Sequence, residues 1–202
     1  MDVLTLVIGR KNLSSWSLRA WLALKRVGAD FTEHVIPLDR SDTRAALDAQ
    51  TPSGTVPVLR HGETIIWESL AICEHLTELF PEDAAAQATA RAVSAEMHAG
   101  FAALRIYRIF SMRDRRPAEG IAPSVAEDTV RVLAVWAHCR DRFGGAPFLF
   151  GGFTLADAMF APVVSCFRTY GVALGGADKD YADAVWELPE IQERAAAAVA
   201  EP

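Results

Sequence analysis

An apolar stretch at residues 3–8 (VLTLVI) is followed, five residues later, by Ser14-Ser15-Trp16-Ser17-Leu18-Arg19, and this junction constrains the fold more than any other segment. The stretch has the length and branched content of a buried strand. Beyond it, Leu18, Trp21 and Leu22 stand at i, i+3 and i+4, with Lys25 and Arg26 in the last turn before Gly28. That spacing predicts a helix over about 15–27. With a second apolar stretch at about 31–36, the pattern is a β-α-β unit whose strands need cover on both faces. The hydroxyls gather at the helix N-terminus, where free backbone N–H groups and the helix dipole favour negative charge. Ser14 or Ser15 can simply cap the helix, or the corner can hold an anion.

The next chemically distinctive segment is Thr51-Pro52-Ser53-Gly54-Thr55-Val56-Pro57-Val58-Leu59, after a weaker helical pattern at 42–50. Strands at 56–59 and 64–66 flank the turn His61-Gly62-Glu63 and read as a hairpin. Leu70, Cys73, Leu76 and Phe80 then mark one face of a helix opened by Glu68-Ser69. Pro81-Glu82-Asp83 breaks this pattern, which places an N-terminal unit at 1–80, a linker at 81–87 and a second unit at 88–202. The second unit reads as helical over 87–114, 124–142 (stopping at Gly144-Gly145), 178–184 and 189–200. Thr154-Leu155-Ala156-Asp157 has the spacing of a capping box, and Pro162 inside the helix it starts removes one backbone hydrogen bond.

Half of the 202 residues are hydrophobic, so burial of a core poses no difficulty, and the net charge of −6 argues against a nucleic-acid face, with room left for local basic patches. Cys73, Cys139 and Cys166 are too widely spaced for a disulfide framework or a zinc motif and are expected to be buried thiols. The histidines show no metal-binding spacing, and no metal is expected. No apolar run approaches the roughly 18 residues a bilayer requires, and Asp2 stands where a signal peptide carries positive charge. Cytoplasm is therefore the expected location, without membrane or nucleic-acid partners.

A hydroxyl corner, a Val-Pro entering a strand, and a Glu-Ser opening a helix eleven residues later resemble, in that order, the N-terminal domain of the cytosolic glutathione transferases. The helical remainder, with Gly151-Gly152-Phe153-Thr154-Leu155-Ala156-Asp157, resembles that family's C-terminal domain, so the similarity covers nearly all of the chain. It implies a thioredoxin-like α/β domain followed by an all-α domain, with glutathione as co-substrate and a homodimer as the working unit. The Ser-Ser-x-Ser-x-Arg pattern is most similar to the zeta class, which includes maleylacetoacetate isomerases, although Trp16 stands where that class has a cysteine.

The resemblance also implies roles for particular residues. Ser14 would be catalytic, its hydroxyl donating to the glutathione sulfur, with Ser15 and Ser17 as alternatives and Ser15 also counted among the glutathione-binding residues. Val56 would offer its backbone to the cysteinyl unit beside a cis Pro57. Glu68 would pair with the γ-glutamyl ammonium, and the Ser69 hydroxyl and N–H with the neighbouring carboxylate. Thr51 and Thr55 occupy positions where the family commonly has Asn and Lys, which leaves Arg40 or Lys11 for the glycyl carboxylate. Trp16, Phe101 and Arg105, with Met97 and Leu104, would face the electrophile. The implied activity is conjugation of the glutathione thiolate to small hydrophobic electrophiles. Glutathione-dependent cis–trans isomerisation, and a binding protein without catalysis on the same fold, are the alternatives.

Overall fold

The computed structural model describes residues 4–117, 120–144 and 146–201. Its N-terminal part runs β1 (Leu4–Ile8), α1 (Ser15–Arg26), β2 (Phe31–Val35), α2 (Thr43–Asp48), β3 (Val58–His61), β4 (Thr64–Trp67) and α3 (Ser69–His75). The strands form one sheet in the order β2-β1-β3-β4, with β1 parallel to β2 and antiparallel to β3, and β3 antiparallel to β4. This follows the expected elements closely. Val3, placed in the first strand by its hydropathy, and Gly145, half of a helix stop, lie outside the described residues.

Side-chain alternation along β1 divides the core. Leu6 and Ile8, with Leu59 opposite Leu6, join Leu18, Leu22 and Ile72 in the main cluster. Val7, opposite Val58, joins Ile36 and Leu47 in a smaller cluster that α2 covers. The period of two thus sends successive residues to different helical layers. Helix α1 is buried from Ser17 to Leu24 because it packs against α3 on its own side and α7 on the other.

Beyond a short 3-10 turn at Thr77–Leu79 the chain is helical: α4 (Ala84–Ala99), α5 (Ala102–Tyr107), α6 (Pro123–Phe143), α7 (Leu155–Tyr170), α8 (Gly176–Trp186) and α9 (Pro189–Ala200). The single helix expected over 87–114 is instead two. Helix α4 starts earlier, where the Asp83 carboxylate accepts from Ala86 N at 2.8 Å, and it ends at Gly100. A Cβ at Gly100 would stand 2.8 Å from the Glu96 carbonyl oxygen, so only glycine permits this exit. Phe101 then adopts φ 60°, and Asp128 of α6 accepts from Leu104 N at 3.0 Å, supplying the new helix start from a distant element. The expected helical face from Leu70 to Phe80 also breaks, with α3 ending at His75 and Phe80 extended.

Helix α7 forms the centre of this region and is almost entirely buried. It continues through Pro162 over 16 residues, and the predicted capping box forms. The Asp157 carboxylate accepts from Thr154 N at 2.7 Å, Thr154 Oγ1 at 3.0 Å and Leu149 N at 3.1 Å. Around it, the Trp136 ring meets Phe160 and Tyr181 edge-on at centroid separations of 6.2 and 4.7 Å. All three cysteines are free and buried.

Candidate active site

The hydroxyl corner is a hydrogen-bonded chain. Ser14 is the N-cap of α1: its Oγ accepts from Ser17 N at 3.3 Å and donates to Ser17 Oγ at 2.7 Å. Ser17 Oγ in turn accepts from Gly9 N at 3.0 Å, which ties the end of β1 to the start of α1. The intervening loop is held from far along the chain. Asn12 Oδ1 accepts from Ser111 Oγ, Met112 N and Arg113 N at 3.0–3.2 Å, and the Glu201 carboxylate accepts from Lys11 N and Asn12 N at 2.7 and 2.9 Å.

In front of this corner lies a cavity of about 340 Å³. Ser14, Ser15, Trp16 and Arg19 form one side of it. Met97 and Leu104 from the helical region, with Pro162 and Val163 of α7, supply apolar wall. Its size and character suit a small, largely apolar ligand that meets a few polar groups.

Arginines give the cavity its charge. Arg19 is only 2% exposed, and its Nε and Nη1 have no hydrogen-bond partner. Its guanidinium lies 4.4 Å from the centroid of the Trp16 ring, and that of Arg105 lies 4.6 Å from the same ring. Burial, reinforced by the charge of Arg105, pulls Arg19 down to about 9, which still leaves it charged at neutral pH. Arg105 donates from Nη2 to the Met97 carbonyl. His98 of α4 meets Trp16 edge-on at 5.2 Å and approaches Glu68 to 3.7 Å. Burial and then the Arg19 charge lower the His98 imidazole below its ordinary value, with Glu68 opposing them, so the ring stays neutral near pH 7.

A second group of polar residues adjoins the corner through β3 and α3. The Val56–Pro57 bond is cis. Glu68 is exposed and holds φ 71°, a left-handed conformation that non-glycine residues adopt rarely and that concentrates at ligand sites. Ser69, the first residue of α3, is fully buried, yet its hydroxyl has no partner. A buried hydroxyl at a helix start thus stands next to an exposed carboxylate on left-handed backbone.

Residues 13–79 match the family model described as the glutathione S-transferase, N-terminal domain. That segment, about a third of the chain, is thus a glutathione S-transferase N-terminal domain. The same fold occurs in a glutathione transferase homologue from Burkholderia gl BGR1 with bound glutathione, at a TM-score of 0.72 and 21% identity, covering 100% of both chains. It occurs also in yeast Ure2p in complex with glutathione, at a TM-score of 0.71 and 19% identity over 96% of this chain and 98% of that one. Among sequences, a probable maleylacetoacetate isomerase of Caenorhabditis elegans is 26% identical over 166 residues, 79% of this chain and 77% of its own length. The glutathione transferase fold therefore accounts for both halves of the chain, the mixed sheet and the helices that follow it.

On that fold, the residues singled out from sequence divide into groups. Ser14, Ser15, Trp16 and Arg105 come together around the cavity, while Val56, Pro57, Glu68 and Ser69 stand outside its lining. Phe101 is not one of the lining residues; it is buried at the α4–α5 break, where its backbone conformation rather than its ring is distinctive. Arg40 is exposed beyond β2, and the Lys11 ammonium pairs with Glu33 at 2.7 Å, which commits that cation elsewhere. Thr51, Ser53 and Thr55 hydrogen-bond to one another at 2.8–2.9 Å. Sequence reasoning did not single out Arg108 or His98. Arg108 stands three residues beyond Arg105, a spacing that was available as a signal. The contact of His98 with Glu68 spans 30 positions and left no local trace.

Proposed function

We propose that this chain is a glutathione transferase family member that binds glutathione along Val56, Pro57, Glu68 and Ser69 and conjugates its thiolate to a small apolar electrophile held in the cavity, as a cytoplasmic homodimer. The observation that carries this reading is the Ser14–Ser15 corner: it sits at the N-terminus of α1 and opens on an apolar-walled cavity beside buried, unpartnered Arg19. A thiol entering there meets a hydroxyl donor, a helix N-terminus and a fixed positive charge, all of which favour the thiolate. In this reading residues 1–80 are the glutathione-binding domain, 81–87 a linker and 88–202 the electrophile domain. Similarity to the probable maleylacetoacetate isomerase supports a second reading, in which the thiolate adds to a conjugated double bond and leaves after rotation.

Titration calorimetry with glutathione, followed by turnover of a halodinitrobenzene, a hydroperoxide and a maleyl compound, tests both readings. Conjugation supports the first and isomerisation of the maleyl compound the second; no binding of glutathione removes both in favour of a protein without this activity. Glu68→Gln should weaken glutathione binding by roughly tenfold or more, since a hydrogen bond to a charged group is worth about 1.5–3 kcal/mol. Unchanged affinity in the same calorimeter would remove Glu68 from the site.

Assembly as a dimer has a direct physical test. None of the large exposed apolar side chains lies on α3 or α4, which spend their apolar faces on the common core; those that are exposed include Ile65 and Trp67 on β4 and Ile106 and Tyr107 on α5. Sedimentation at micromolar concentration should give twice the 22.0 kDa chain mass, and a species at the single-chain mass refutes the dimer.

A further inference from the structure

The cavity is positively charged in a chain whose net charge is −6. Arg19, Arg105 and Arg108 all line it, and no aspartate or glutamate does so among the described residues. None of the three forms an ion pair among the described residues; Asp128, the nearest acid to act on Arg105, spends a carboxylate oxygen on Leu104 N instead. The Arg105 Nε is buried without a partner, as are Nε and Nη1 of Arg19. Arginine is an expensive residue to bury without a counter-charge, and two guanidinium groups gathered on one indole repel each other. An incoming anion relieves both penalties.

Glutathione does not account for the whole cluster. In the proposed reading its backbone lies along Val56, Glu68 and Ser69, none of which lines the cavity, and only its sulfur reaches Ser14. Arg19 adjoins that sulfur. Arg105 and Arg108 belong to α5 and the residue that ends it, on the opposite wall, where Ile109 and Phe110 add apolar surface. Resting on the proposed function, we infer that the second substrate is an aromatic or conjugated electrophile carrying a carboxylate, seated on Arg105 and Arg108 with its apolar body against Ile109, Phe110 and Val163. A planar carboxylate matches the guanidinium fork, and those side chains offer apolar surface to a conjugated ring. For a chloroarene of this kind, the thiolate forms a C–S bond at the carbon bearing chlorine, the C–Cl bond breaks, chloride leaves, and the thiol proton passes to solvent.

The test compares 3,5-dinitrobenzoate with its methyl ester in calorimetry on the whole protein saturated with S-methylglutathione, which cannot react. The acid should bind at least tenfold more tightly than the ester. Arg105→Gln and Arg108→Gln should each reduce that preference about tenfold, a ratio that a general loss of packing would leave in place. Turnover of 4-chloro-3,5-dinitrobenzoate relative to its ester, each divided by its spontaneous rate, should show the same preference. Equal affinity for acid and ester overturns the inference, as does displacement of S-methylglutathione by the acid, because the arginines then serve glutathione itself. Normal glutathione binding without acid preference sinks this inference alone, whereas absence of glutathione binding sinks the proposed function together with it.

Discussion

Ser14→Ala should lower turnover of an activated electrophile by roughly tenfold to thirtyfold near neutral pH, while glutathione affinity changes less. A free thiol titrates near ~8.5, so only about 3% is ionised at pH 7. A charge-assisted hydrogen bond is worth roughly 1.5–3 kcal/mol, or about one to two pKa units, enough to ionise much of it. The Ser14 hydroxyl donates to Ser17 Oγ in the absence of ligand, and rotating that proton towards a sulfur leaves Ser17 free to donate back to Ser14. The defect should therefore fall on kcat and shrink at about pH 9, where the thiol ionises unaided. Ser17→Ala is expected to behave differently. It orphans the buried Gly9 N–H, so the main effect is a loss of stability of about 1–3 kcal/mol. If Ser15→Ala abolishes activity while Ser14→Ala keeps wild-type rates from pH 6 to 9, the hydroxyl that serves the sulfur is Ser15.

Asp157→Ala should be the most destabilising single change outside the cavity, by roughly 3–5 kcal/mol at neutral pH. The carboxylate is fully buried and serves two backbone donors, Leu149 N and Thr154 N, as well as the Thr154 hydroxyl. Alanine leaves all three without an acceptor in a region water does not enter. For a chain of this size the melting temperature should fall on the order of 10 °C, readable by calorimetry or circular dichroism. The pH dependence has a definite sign. Burial outweighs the hydrogen bonds and raises the Asp157 carboxyl to about 6, above its unfolded value of ~3.9. Its contribution is thus complete below about pH 4 and declines as pH rises through 6, by roughly 2–3 kcal/mol. The stability gap between wild type and variant should narrow across that interval; a gap that widens instead would mean that the donors hold the carboxylate ionised and that burial is the lesser influence.

Much of the architecture was legible because it is written in short-range terms. The strand β1, the apolar face and cap of α1, and the Thr154–Asp157 box each depend on residues within a turn or a strand of one another, and each formed as expected. The break between α4 and α5 was not legible. Gly100 is one weak helix residue in an otherwise periodic run, and the new start just beyond it is supported by the acceptor Asp128 from another helix. The same distinction separates the two kinds of site residue. Ser14, Trp16, Glu68 and Ser69 stand at element starts, and the order of those starts carries the resemblance that named them. Phe101, expected at the electrophile pocket from the resemblance, stands at the α4–α5 break and is not among the residues that line the cavity.

The sequence by itself thus determined most of the elements, the caps of α1 and α7 and the family pattern, since these follow from interactions among near neighbours in the chain. Only the tertiary structure decided that three arginines with no acidic partner among the described residues share one cavity, that His98 reaches Glu68, and that Lys11 is spent on Glu33. Charge and burial at a site depend on groups tens of residues apart, and no local pattern encodes which of them meet.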